Sequence, residues 1–159
     1  MRSHLVCLVA AVVVLHARPS SAQAVSSATV NVQAQFSART SLKVSSDLLQ
    51  FTVAESGGAA TAAVEFSAGA RTPASNDVVL TVEPLRAIEG PGGAADTETA
   101  LSVGGEGAGL QAAQIAASHS TIVGRWQGSG VRQGRLVFTL RAASSGTYTV
   151  PVRFVLSAP

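Results

Sequence analysis

Beyond residue 24 the chain has no cysteine; its only one, Cys7, lies in an apolar run near the N-terminus. Disulfides, thiol catalysis and thiolate metal sites are therefore excluded from the body of the chain. Histidine is almost as scarce, with His119 alone past residue 24, which excludes a zinc site built from His and Cys. Acidic residues stop at Glu106, while Arg125, Arg132, Arg135, Arg141 and Arg153 follow it. No G-x-S-x-G elbow, EF-hand spacing or RTX repeat is present. Gly104-Gly105-Glu106-Gly107 lacks the Lys-Ser/Thr of a phosphate loop. Metal, cofactor and hydrolase chemistry thus have little to work with, and the chain reads as non-enzymatic.

The N-terminus is informative. Arg2 precedes an uninterrupted apolar run from Leu5 to Leu15, and Ala22-Gln23-Ala24 follows. A positive start, a short apolar stretch and an A-x-A site form a cleaved secretory signal. The site favours cleavage after Ala24, with Ala22 as the alternative. The run is too short to span a bilayer as a helix, and no later stretch is long enough. The expected product is an exported domain of periplasm, cell surface or medium, without stable membrane insertion. Residues 1–24 are the signal and 25–159 the domain. Arg2 and Arg18 leave with the signal, so nine basic residues face nine acidic ones. A neutral chain gives no support to nucleic-acid binding. About 135 residues suffice for one core that needs no cross-links.

What is present is period-two alternation. Ala28, Val30, Val32, Ala34 and Phe36 alternate with polar residues. So do Leu49-Phe51-Val53, Val64-Phe66, Val78-Leu80-Val82 and Leu136-Phe138-Leu140. Turn residues separate many of these runs, as at Glu55–Gly58, Thr72–Asp77 and Ser144–Gly146. Short strands with regular turns predict an all-β antiparallel sandwich or barrel. The last run is the clearest: Tyr148, Val150, Val152, Phe154 and Leu156 share a face, opposite Thr147, Thr149, Pro151 and Arg153. Pro151 removes a backbone donor, which predicts an edge at that point. Tyr148 fits a corner tyrosine that anchors a loop by its hydroxyl.

Some segments are less regular. Residues 88–109 hold seven of the fifteen glycines and read as a loop, with a short strand at 100–103. Residues 110–118 suit a short strand or a helical turn. Asp96 with Glu98 and Glu83 with Glu89 are carboxylate pairs in or beside that loop, a poor mount for acid–base work. A weak calcium site of Asp96, Glu98 and Glu106 has no supporting motif. Ile122, Gly124 and Trp126 share a face, so Trp126 is either a core residue or, if exposed, a sugar-stacking platform. The late arginines suit a solvated sheet face.

Thr29–Phe36, Ser41–Val44 and Gly146–Leu156 together resemble bacterial pilin-like β-sandwiches, in particular the spore-coat-protein-U-like and related fimbrial-subunit families. Gly146 stands fourteen residues from the end, as in chaperone–usher pilins. Ala158 replaces their aromatic penultimate residue, and their usual disulfide is impossible here. The resemblance implies a single antiparallel immunoglobulin-like (pilin-like) sandwich, no cofactor and assembly by β-strand addition. Val30, Val32 and Ala34 would then insert as a strand. Tyr148, Val150, Val152 and Phe154 would line the groove, and the partner would be a second copy or a periplasmic chaperone. The alternative is a self-contained surface or carbohydrate-binding module, with ligand contacts from loops at 84–109 and 127–134.

Overall fold

The structure, a computed structural model, describes residues 38–95, 98–117 and 119–158. The expected signal, the expected strand at 28–36 with Val30, Val32 and Ala34, and Asp96 lie outside the described residues. The described strands are β1 (Arg39–Val44), β2 (Leu48–Val53), β3 (Ala59–Arg71), β4 (Asp77–Pro84), β5 (Glu89–Gly90), β6 (Gly93–Ala94), β7 (Ala100–Glu106), β8 (Ala113–Ile115), β9 (Thr121–Gln127), β10 (Gly130–Arg141) and β11 (Gly146–Ser157).

They form two antiparallel sheets packed as a β-sandwich. Sheet I has the order β1-β3-β10-β7-β8. In sheet II the path is β6-β5-β11-β4-β9, and β2 also pairs with β11. The alternation read from the sequence is the alternation of burial. Leu49, Phe51, Val53, Leu80, Val82, Leu136, Phe138, Leu140, Val150 and Val152 all face the core between the sheets. No polar or charged residue is buried among the described residues, so the layer between the sheets is apolar.

Six of the described strands match the order of an immunoglobulin sandwich, whereas β9, which pairs with β4 but follows β7 in the chain, departs from it. β1, β3, β10 and β7 stand as strands A, B, E and D of one sheet, and β4 and β11 as C and F of the other. Tyr148 supports the placing of β11 as F. Its hydroxyl donates to the Ser144 carbonyl at 2.8 Å, four residues upstream, and its ring is buried. That is the tyrosine corner of such sandwiches. Tyr148→Phe keeps the ring and deletes the bond, so urea unfolding should show a loss of about 1 kcal/mol. An unchanged midpoint would mean that the hydroxyl contributes nothing.

Three expectations need correction. Residues 88–109 are not one loop: Glu89–Ala94 form a small hairpin and β7 runs seven residues, with Leu101 and Val103 in the core. The glycine signal misled because Gly105 serves packing. A Cβ there would come within 2.6 Å of Leu110, which folds back over the strand. The expected loop at 127–134 is mostly strand, since β10 begins at Gly130. Ile122 also does not share the face of Trp126. A bulge beside Leu80 and Thr81 shifts the β4–β9 register, pairs Ile122 with Thr81 and sends Val123 into the core.

A candidate strand-accepting groove

The two sides of the sandwich close differently. On one side Gly109–Gln111 bridge the outer edge of β9. Gln111 N–H donates to Val123 O (3.0 Å), and Arg125 N–H donates to Gly109 O (2.9 Å). Trp126 fixes this strap, because its indole N–H donates to Ala108 O at 2.9 Å. The ring is buried against Phe66, so it offers no exposed platform for a sugar.

The other side is closed over only half its length. The first strand of the fold changes sheets: β1 pairs with β3 in sheet I, and β2 pairs with β11 in sheet II. Ser45 N–H still donates to Glu65 O (2.9 Å), while Val152 N–H donates to Asp47 O (2.8 Å), so the crossing takes three residues. β2 covers Gly146–Pro151 of β11 and stops there. β4 pairs with Val152–Ser157.

Hydrogen-bond alternation shows that β2 and β4 lie on opposite sides of β11. Val152 points its N–H toward Asp47, and Pro151 accepts on the other side from Leu85 N–H at 2.9 Å. In an antiparallel ladder the amide and carbonyl of one residue point the same way, and the direction alternates along the strand. Phe154 and Leu156 therefore point both groups away from β4, where no described strand faces them. The same count on β1, from Ser45 bonded toward β3, turns Leu42 and Val44 outward to the same gap.

Burial agrees. Phe154 and Leu156 face inward but are only half-buried, although Val82 and Leu80, their register partners on β4, are fully buried. Leu42 and Val44 are half-buried beside the buried Ala68 and Phe66. The opening thus lies between β1 and the last half of β11. It has an apolar floor, and neither rim has a facing strand among the described residues.

Of the residues picked from the sequence, Phe154 lies in this uncovered half. Tyr148 and Val150 lie in the half that β2 covers, and Val152 lies just past it with its N–H on Asp47 O; all three are buried. Leu42, Val44 and Leu156 join Phe154 at the opening. Their signal was the short alternation at Ser41–Val44, which does not say that this strand is an edge. The edge expected at Pro151 is displaced. The missing N–H of Pro151 faces Leu85, where the β4 ladder ends, whereas the open edge begins at Phe154 on the opposite side.

The polar chemistry is thin. The late arginines are exposed on sheet faces; Arg125 pairs with Asp77 (2.9 Å) and Arg153 with Glu83 (2.7 Å). His119 is a loop residue with Nδ1 2.9 Å from Ala117 O. Among the described residues no group of three His, Cys, Asp or Glu could hold a metal. A depression of about 640 Å³ on the outer face of sheet I holds Lys43, Glu65, Glu106 and Arg135 but opens broadly to solvent. No family model, no curated protein and no solved structure matches this chain.

Proposed function

We propose that the protein is a non-enzymatic, exported structural subunit that assembles by β-strand addition, as a fimbrial or other surface-structure component. One observation carries this reading: an apolar opening whose two rims, Leu42–Val44 and Phe154–Leu156, both lack a facing strand among the described residues. Such a site takes an extended strand. Its amides and carbonyls supply hydrogen bonds on either side, and its alternate side chains fill the floor. In an immunoglobulin sandwich strand G pairs with F on the side away from C. Here β4 is C and β11 is F; β2 takes the place of G along Gly146–Pro151, and no described strand takes it along the rest of β11.

The sequence contains a matching alternation. Ala28, Val30, Val32, Ala34 and Phe36 share one face, and the segment carries no charge. Each valine seated in the groove contributes about 1.5 kcal/mol or more. The linker decides whose groove it fills. A strand in the G position runs antiparallel to β11 and hence parallel to β1. Parallel neighbours need a crossover of roughly a dozen residues. Only Ser37 and Ala38 separate Phe36 from Arg39. The segment therefore completes the sandwich of another copy, and a periplasmic chaperone strand would hold the groove beforehand.

The test is to export the full chain from a bacterial host and measure its size and thermal unfolding. Ladders of copies are expected, and excess synthetic 25–37 peptide should cap them and raise the melting temperature of the released subunits. A cooperative, stable monomer indifferent to the peptide would falsify strand addition.

A further inference from the structure

The groove has a direction, and the short linker turns that direction into a contact between copies. An inserted strand antiparallel to β11 enters beside Ser157 and leaves beside Val152, where Val152 N–H meets Asp47 O. On the strand-addition reading its last apolar residue, Phe36, would therefore arrive near Asp47 and Leu48. From Phe36 to Arg39 there are three Cα steps, which reach at most about 11 Å. The body of the inserting copy must then begin next to Asp47 and Leu48 of the receiving copy.

The two surfaces so juxtaposed are complementary. On the receiving side Asp47 is exposed, with no ion-pair partner among the described residues. Next to it Leu48 (42 % exposed) stands in register with Pro151, and Leu85 (58 %) is bonded to Pro151 by its N–H. Three apolar side chains thus sit side by side on the outside of sheet II. On the inserting side β1 starts at Arg39, directly opposite Arg71 on β3. Like charges in register are destabilising, and neither arginine has a carboxylate partner among the described residues. Val131, the most exposed large apolar residue among those described at 66 %, pairs with Gly69 at the same corner. Two uncompensated cations beside an exposed valine match one uncompensated anion beside an exposed apolar row.

We propose that the Arg39–Arg71–Val131 corner of one copy docks on the Asp47–Leu48–Leu85–Pro151 surface of the next, so that the assembly is a stiff stack rather than beads on a flexible string. This rests on the strand-addition reading above and adds a second contact to it. Within one copy the six extended residues of β1 hold Arg39 and Asp47 about 20 Å apart. A disulfide needs Cα atoms within roughly 7 Å. With no native cysteine past residue 24, the pair Arg39→Cys with Asp47→Cys can cross-link only between copies.

Oxidised assemblies of that double variant should give covalent ladders, whereas Arg39→Cys with Glu55→Cys should not. Asp47→Arg should weaken assembly about five- to tenfold, and Arg39→Asp with Arg71→Asp in the same chain should restore it. Assemblies that form normally, resist cross-linking at 39–47 and ignore charge reversal would remove the docking contact and leave strand addition standing. Wild-type chains that never assemble would overturn both.

Discussion

Alanine at Phe138 should remove about 3–5 kcal/mol of stability. Phe138 sits on β10, the middle strand of sheet I, and is fully buried between Leu136 and Leu140 on the same face. Rigid strands on both sides of β10 leave a cavity there little room to collapse. No disulfide supports the domain past residue 24. A typical domain holds only about 5–15 kcal/mol in reserve. Phe154 is the informative contrast. Its ring lies 6.3 Å from that of Phe138 in an edge-to-face arrangement, but it is only half-buried. Phe154→Ala should cost the unassembled chain about 1–2 kcal/mol, because much of the ring's area is still wet. An inserted strand would cover that area, so 25–37 peptide should widen the Phe154→Ala penalty and leave the Phe138→Ala penalty unchanged. Urea unfolding followed by Trp126 fluorescence measures both. Equal penalties without peptide would mean that the groove is not open.

Much of the sandwich was legible because its signal is local. Tyr148 to Val152 and Leu136 to Leu140 alternate cleanly, and period two is a property of the strand itself. The corner role of Tyr148 was legible for the same reason, since donor and acceptor are four residues apart. What could not be read is set by neighbours distant in sequence. Phe154 and Val150 look alike along the chain. One is buried and the other half-open because β2 stops at Leu48, opposite Pro151. Glycine was the residue most easily misjudged. Gly105 reads as loop but stands in a strand because Leu110 takes the space of its missing side chain. Gly146 does mark a terminus of structure, and for a steric reason. Its φ of +141° and the ring of Pro91, 2.5 Å from where a Cβ would stand, both require glycine at the start of β11.

The groove itself follows from a change of partner in mid-strand. Pro151 closes the β4 ladder on one side of β11 just where β2 ends on the other. The first half of β11 is thereby sealed into the core, and the second half has one rim with no partner among the described strands. A fully paired strand would make a closed domain with no means of adding a neighbour. An entirely free one would be an aggregation hazard of the kind edge strands pose. Four residues of rim, Phe154 to Ser157, set above an apolar floor, would accept one strand of defined length.

Leu156→Arg should abolish assembly, and Val155→Arg should not. The two positions are adjacent, but successive side chains on a strand point to opposite faces. Val155 faces outward and is 41 % exposed; Leu156 faces the groove. In the unassembled chain an arginine at 156 can lay its stem along the floor and hold its guanidinium in water. Folding should therefore cost less than about 1.5 kcal/mol. An inserted strand would bury that guanidinium without a partner, since residues 25–37 carry no acid. An unpaired buried charge costs several kcal/mol, so assembly should fall more than about 100-fold. Arginine at 155 changes only a solvated face. The pair separates loss of fold from loss of assembly, because both variants add the same charge to the same strand one residue apart. Equal assembly by the two variants, measured by size-exclusion chromatography and electron microscopy, would place the joining surface somewhere other than the groove.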